Sequence, residues 1–234
     1  MRVLGVIPAR GGSKSIPKKN IADLAGKPLI AHTINSAQSA TLLDRFIVST
    51  DCCEIAAVAR DFGASVPFIR PAKLATDDSD SKGVVLHALA FMERQLNVTF
   101  DAVMLLQPTT PFRKPIWIDE AITRLANSEL DSVVSLVSVG AVHPYRMYSL
   151  NKSSELVPFV DGDFDQMLPR QKLPSVYIRS GDIYITRRQC ILEQDSLIGE
   201  VSGGMVIDSK YAVNIDEPVD LEMARILVKS VEAD

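Results

Sequence analysis

The feature that most constrains this chain is an alternation. Short β-branched apolar runs are separated by stretches whose apolar residues recur every three or four positions. Arg2–Ile7 reads as a buried strand, and Pro28 to Ala40 as a helix with a stripe of Leu29, Ile30, Thr33, Ile34 and Ala37. Arg45–Thr50 is the next strand; Ile55, Val58, Ala59 and Phe62 then mark a helix stopped by Gly63. A short strand is expected at Val66–Ile69, a helix through Val85, Leu89, Met92 and Leu96, and a strand at Ala102–Leu106. Ile116 to Ala126 reads as a helix and Ser132–Val139 as a strand. Later come a strand at Tyr177–Thr186, a helix at Arg187–Gln194 and a strand at Met205–Asp208. A final helix at Pro218–Val231 turns Leu221, Ala224, Leu227, Val228 and Val231 inward. Such alternation builds right-handed βαβ units, so the predicted class is α/β with a mostly parallel sheet and flanking helices.

The rhythm breaks between Ala141 and Pro174. Pro144, Pro158, Pro169 and Pro174 stand here with Tyr145, Tyr148, Phe159 and Phe164, and no helical period is present. A long irregular connection of this kind is a functional or interaction segment. Residues 1–140 and 176–234 are therefore expected to form one α/β domain, with 141–175 as an inserted arm.

Ligands of parallel sheets bind beyond the carboxyl ends of the strands. The segments to read are Pro8–Asn20, Asp51, Arg70, Gln107–Arg113 and Asp216. The first belongs to "GVIPARGGSKSIPKKN", which holds Arg10, Lys14, Lys18 and Lys19 and no acidic residue, in a chain of formal charge −4. Gly11 and Gly12 are expected to let the backbone turn tightly and to offer amides as an anion nest. A triphosphate would suit such a loop; a solvated turn with scattered lysines is the alternative. The spacing is neither G-x-x-x-x-G-K-[ST] nor G-x-G-x-x-G, so the loop is neither a Walker A nor a dinucleotide fingerprint, and a dehydrogenase is disfavoured.

The acidic balance argues against general nucleic-acid binding but not against small anions. No run is apolar for about 18 residues, so no membrane span is expected. Val3–Pro8 is too short for an export-signal core. Cys52, Cys53 and Cys190 are odd in number and lack a C-x-x-C, which reads as reduced thiols, a cytoplasmic setting and no zinc site.

The loop "PARGGSKSIPKKN" resembles the opening of the acylneuraminate cytidylyltransferases, the CMP-sialic acid synthetases. "IVSTD" (Ile47–Asp51), "RPAKLATD" (Arg70–Asp77), "LLQPTTPFR" (Leu105–Arg113), "PRQKLP" (Pro169–Pro174), "SGDIYI" (Ser180–Ile185) and "NIDEPVDL" (Asn214–Leu221) match later family segments in order. The likeness covers essentially the whole chain. It implies a Rossmann-like sheet of the nucleotide-diphospho-sugar transferase type. It implies that CTP and a nonulosonic sugar acid give CMP-sugar and pyrophosphate with Mg²⁺. It also implies a homodimer whose arm reaches the neighbouring site. KDO, legionaminic and pseudaminic acids are alternative sugars, though "LLQPTTPFR" resembles the sialic-acid type more than the KDO type.

Residue roles follow from the same resemblance. Arg10, Lys14 and Lys19 would clamp the β- and γ-phosphates. Asn20 would bind near the ribose or α-phosphate, or else brace the turn. Arg70 and Ser81 align with residues that contact the cytidine, with a structural ion pair as the alternative for Arg70. Gln107 would hydrogen-bond the sugar acid or else brace its loop. Arg146, Arg170 and Arg179 are candidates for the sugar carboxylate, since a guanidinium can make two parallel hydrogen bonds to it; Arg170 leads, and surface ion pairs are the alternative. Tyr184 would pack on the sugar or belong to the core. Leu197 and Ile198 would line a partner's pocket or simply pack.

Asp216 carries the Mg²⁺ assignment, with N-capping of the last helix as the rival reading. The family commonly shows D-x-D, whereas this chain has Asn214-Ile215-Asp216, so Asn214 is a weaker metal candidate. That departure alone favours a binding module without catalysis. Asp77, Asp78 and Asp80 are read as helix-entry acids and not as a metal cluster. No general base is evident: His32 and His87 fall on helical segments and His143 in the arm.

Overall fold

The computed structural model describes residues 1–160 and 168–231. Phe164 lies outside the described residues. In chain order the elements are β1 (Val3–Pro8), β2 (Asp23–Leu24), β3 (Lys27–Pro28), α1 (Leu29–Ser39), β4 (Arg45–Ser49), α2 (Cys53–Asp61), α3 (Ser81–Leu96) and β5 (Ala102–Leu105). They continue with α4 (Pro115–Ala126), β6 (Ser132–Ser138), β7 (Tyr148–Leu150), β8 (Leu156–Pro158), β9 (Tyr177–Arg187), α5 (Arg188–Glu193), β10 (Ser202–Val206) and α6 (Pro218–Val231).

The main sheet has the order β10-β6-β9-β5-β1-β4. β1 pairs in parallel with β4 and β5, and β10 in parallel with β6. β9 alone runs opposite, between β5 and β6. The sheet is thus mostly parallel and covered by helices, as the alternation predicts. Central strands are buried on both faces, which is why β1 reads as an unbroken apolar run. All five residues of the α1 stripe are buried. On α6, Leu221, Ala224 and Val228 are buried, while Leu227 and Val231 pack at the edge of the same cluster.

Three expectations need correction. The last strand runs Ser202–Val206 and not Met205–Asp208. Val66–Ile69 is not a strand; only isolated bridges join Ile47 to Ser65 and Thr50 to Ile69. Pro67 has no backbone N–H to offer a ladder. The arm is not wholly irregular either. β7 and β8 form a small antiparallel hairpin, with Tyr148 opposite Pro158 and Leu150 opposite Leu156. Strands of three residues are too short to reveal a period.

A third apolar cluster matters most for position. It gathers Ile16 from the basic loop, Leu24, Leu29, Phe112, Ile215 and the inner face of α6. Ile16 and Ile215 therefore anchor the loop after β1 and the segment before α6 in one core. Their neighbours Lys14, Lys19 and Asp216 are carried to the same edge of the sheet.

Candidate active site

Each strand end delivers its loop through backbone bonds. Ala9 N donates to Ser49 O, Arg70 N to Thr50 O at 2.7 Å, and Ile215 N to Thr109 O at 2.8 Å. A cavity of about 470 Å³ opens where these loops meet. Arg10, Lys14, Lys19, Asn20, Arg70, Ser81, Gln107 and Asp216 all line it. Every residue expected on the nucleotide side is thus brought together. Asn214 sits one contact behind, its Nδ2 donating to Asp216 Oδ2 at 2.5 Å.

The basic loop is built differently from expectation. Neither Gly11 nor Gly12 has a left-handed φ; that conformation falls on Lys18, at φ 53°. Gly11 is needed for closeness instead, because a Cβ there would lie 2.9 Å from Cys52 Cβ. Its amide is committed to Asp51 Oδ1 at 2.9 Å and cannot serve a free anion nest. The loop's side chains Arg10, Lys14 and Lys19, not the Gly11 amide, face the cavity. Lys18 is turned aside to Glu54 at 2.7 Å.

Asn20 shows the bracing role: it is buried, and its Nδ2 donates to Arg10 O at 2.9 Å, fixing the loop while lining the cavity. Arg70 is buried, with Asp51 Oδ1 only at 3.8 Å from Nη2. Its Nε and Nη2 make no hydrogen bond. Burial lowers its pKa, an effect that Asp51 partly offsets. A tight structural ion pair therefore does not account for it.

The capping rival for Asp216 fails. The backbone amides of Asp216 and Glu217 donate to Asp220 Oδ2 at 2.9 and 2.7 Å, so Asp220 caps the start of α6. The Asp216 carboxylate is left exposed on the cavity, 3.3 Å from Lys19 Nζ. An exposed hard-oxygen donor beside a cationic loop suits an ion that arrives with a polyphosphate and keeps several waters. Among the described residues no group of three His, Cys, Asp or Glu side chains could cage a metal on its own. Of the three acids read as helix-entry residues, Asp80 takes that role, capping α3 by accepting from Gly83 N at 2.7 Å, whereas Asp77 turns to the basic loop and pairs with Arg10 and Lys14.

A second cavity, of about 480 Å³, shares Asp80, Ser81 and Gln107 with the first. Arg179, Tyr184, Leu197 and Ile198 line it, all from one chain. Arg146 and Arg170 line neither cavity. Both lie in the arm, where Arg146 Nη2 donates to Leu168 O at 3.0 Å and Arg170 flanks Gly140. The leading guanidinium of a single chain is Arg179, because β9 runs back into the sheet and carries it there. Gln107 is held by its backbone, not by its amide: its carbonyl accepts from Arg113 Nη2 at 2.8 Å. Its side chain is left facing Gly181, whose φ of +88° and lack of a Cβ permit the approach.

Sequence reasoning missed the group beneath this loop. Arg113 is buried and also donates to Asp182 O at 2.6 Å, Thr33 Oγ1 at 3.1 Å and Thr110 Oγ1 at 2.7 Å. Burial lowers its pKa to about 10. The Asp182 carboxylate is fully buried with neither oxygen hydrogen-bonded. Burial raises its pKa to about 6, against the pull of Arg113. The unfolded chain loses this proton near pH 4 and the folded protein keeps it to about pH 6. Wild-type stability should therefore fall, relative to Asp182→Asn, as pH rises across that window, by roughly 3 kcal/mol. Urea midpoints measured from pH 4 to 7 check this; a pH-independent difference would refute it.

The histidines lie away from both cavities. His32 bonds Leu24 O, His143 bonds Pro174 O, and His87 meets Phe68 edge-on; none of the three lines either cavity.

A mostly parallel sheet with a cation-rich cleft at its carboxyl edge defines an α/β protein of the nucleotidyltransferase class. A solved CMP:2-keto-3-deoxy-manno-octonic acid synthetase in complex with CTP has the same fold. It matches with a TM-score of 0.74 over 98% of this chain and 99% of that one, at 18% identity. The cytidylyltransferase family model matches residues 4–157. A CMP-N,N'-diacetyllegionaminic acid synthase of Legionella pneumophila is 40% identical over 98% of this chain and 97% of its own. A pseudaminic acid cytidylyltransferase of Campylobacter jejuni is 32% identical over 98% and 97%. The chain belongs to the cytidylyltransferase family, as the resemblance of its motifs implies.

Proposed function

We propose that this protein transfers CMP from CTP to the anomeric hydroxyl of a nonulosonic acid and releases pyrophosphate. The carrying observation is the convergence of Arg10, Lys14, Lys19, Arg70 and Asp216 on one cavity that continues into a second holding Arg179. Arg10, Lys14 and Lys19 bind the β- and γ-phosphates and stabilise charge on the leaving pyrophosphate. Arg70 and Ser81 hold the cytidine end. Gln107, at the junction of the cavities, orients the acid, and Arg179 takes its carboxylate. Asp216, with Asn214 beside it, would hold Mg²⁺, which neutralises the triphosphate and polarises the α-phosphate when bound. The hydroxyl attacks the α-phosphorus in line, and the chain's contribution is chiefly to position the reactants and stabilise charge.

The sugar acid is of the sialic type, with nine-carbon backbone and acylated amine. The name of the Legionella relative, at 40% identity, favours a diacetyllegionaminic acid within that type. Pyrophosphate release with CTP and a panel of sialic, legionaminic, pseudaminic and KDO acids tests both levels. Turnover with one of the first two is expected. CTP binding without release for any acid would favour a binding module instead.

We also propose a cytoplasmic homodimer joined through the arm. Val142, Leu150, Leu156 and Phe159 are exposed there, with Ile178 beside them on β9, a concentration of apolar surface that a second copy would cover. Light scattering should give twice the chain mass, and a monomer at micromolar concentration would count against the dimer. No helix among the described residues is long and apolar enough to cross a membrane.

A further inference from the structure

One carboxylate already spans the cations assigned to the terminal phosphates. Asp77 Oδ1 accepts from Arg10 Nη1 at 2.8 Å, and Asp77 Oδ2 lies 2.5 Å from Lys14 Nζ. Arg10 Nη1 also donates to Thr76 O at 3.1 Å. The segment is held in reach from both sides. Thr76 N donates to Ser79 Oγ at 3.0 Å, and Asp80 is fixed as the cap of α3. Lys14's hydrogen bond, ahead of Arg10's, keeps the Asp77 carboxyl below its usual range, so it is ionised at neutral pH. Lys19 faces a different carboxylate, that of Asp216, and Arg70 faces Asp51.

We propose that Asp77 is an internal competitor for polyphosphate, a residue that sets anion selectivity and aids the departure of pyrophosphate. The inference rests on the proposed binding of the β- and γ-phosphates by Arg10 and Lys14. Asp77 and a phosphate cannot both occupy the same guanidinium and ammonium donors. An attached carboxylate acts at high effective concentration but carries a single charge. A small phosphate that reaches only Arg10 and Lys14 gains little by displacing it. CTP, whose phosphates also reach Lys19 and whose cytidine reaches Arg70, gains enough to do so. Once the α–β bond is broken, pyrophosphate no longer has the cytidine contacts, and the return of Asp77 to Arg10 and Lys14 favours its release.

Calorimetry with CTP and with inorganic pyrophosphate, each with Mg²⁺, tests this on the full chain. Asp77 is exposed, so Asp77→Asn should fold normally. Asp77→Asn is expected to bind pyrophosphate roughly fivefold tighter, the scale of an exposed ion pair removed. It should tighten CTP less and strengthen product inhibition by pyrophosphate. Lys14→Ala should weaken pyrophosphate in both backgrounds. Unchanged or weaker pyrophosphate binding by Asp77→Asn would overturn the competitor role and make Asp77 a supporting group. Failure of the wild-type protein to bind CTP would instead overturn the underlying functional reading.

Discussion

Asp216→Ala is expected to lower kcat on the order of a thousandfold and to leave the fold intact. The size follows from the proposed Mg²⁺ role of Asp216: a lost metal anchor would remove several kcal/mol of charge stabilisation at the reacting phosphate. The separation of rate from stability follows from the capping pattern. Asp220, not Asp216, accepts the amides at the start of α6. Asp220→Ala should therefore cost about 1 kcal/mol of stability, while Asp216→Ala should not. Asp216→Asn keeps the shape and should lose nearly as much rate, because a neutral amide oxygen is a poorer Mg²⁺ ligand. Pyrophosphate release with saturating Mg²⁺, read beside urea unfolding, checks these points. Near-normal turnover in Asp216→Ala would remove the assignment.

Arg113→Met should destabilise the protein by about 3–5 kcal/mol, the cost of leaving several buried acceptors without a donor at once. The substitution removes the nearby positive charge that pulls the Asp182 carboxyl downward. It also strips donors from the carbonyls of Gln107 and Asp182 and from the Thr33 and Thr110 hydroxyls. Adding Asp182→Asn should restore part of the loss, since the two groups are coupled. Chemical unfolding of the single and double variants measures this. A loss under about 1 kcal/mol, or strict additivity, would show that the pair does not support the Gln107 loop.

Much of the fold was legible because its helices keep one apolar stripe each and its central strands are apolar throughout. The α6 boundaries and the α1 stripe emerge from the residues directly. Val66–Ile69 has the apolar character of a strand, but Pro67 lacks the N–H that a ladder needs, and only isolated bridges form there. The β7–β8 hairpin was hidden by its brevity.

At the site, the loops to read followed from the strand ends, and the resemblance supplied the roles. What neither conveyed was pairing. Asp51 consumes the Gly11 amide, and Asp77 spans Arg10 and Lys14. Both are long-range contacts between loops, with no periodic trace. Asp77 closes the "RPAKLATD" segment, and its charge facing a basic loop was the available signal. Arg146 and Arg170 lie in the arm and line neither cavity of their own chain, whereas β9 carries Arg179 to one of them; residue type does not encode that difference. Arg113 ended a motif already read for its prolines and glutamine, so its buried role passed unnoticed.

The most direct measurement is a crystal structure of the protein with CTP and Mg²⁺. The account predicts terminal phosphates within hydrogen-bond reach of Arg10 and Lys14, Asp77 displaced from both, the cytosine toward Arg70 and Ser81, and the ion on Asp216. A triphosphate bound away from the loop after β1, or an ion that makes no contact with Asp216, would contradict it.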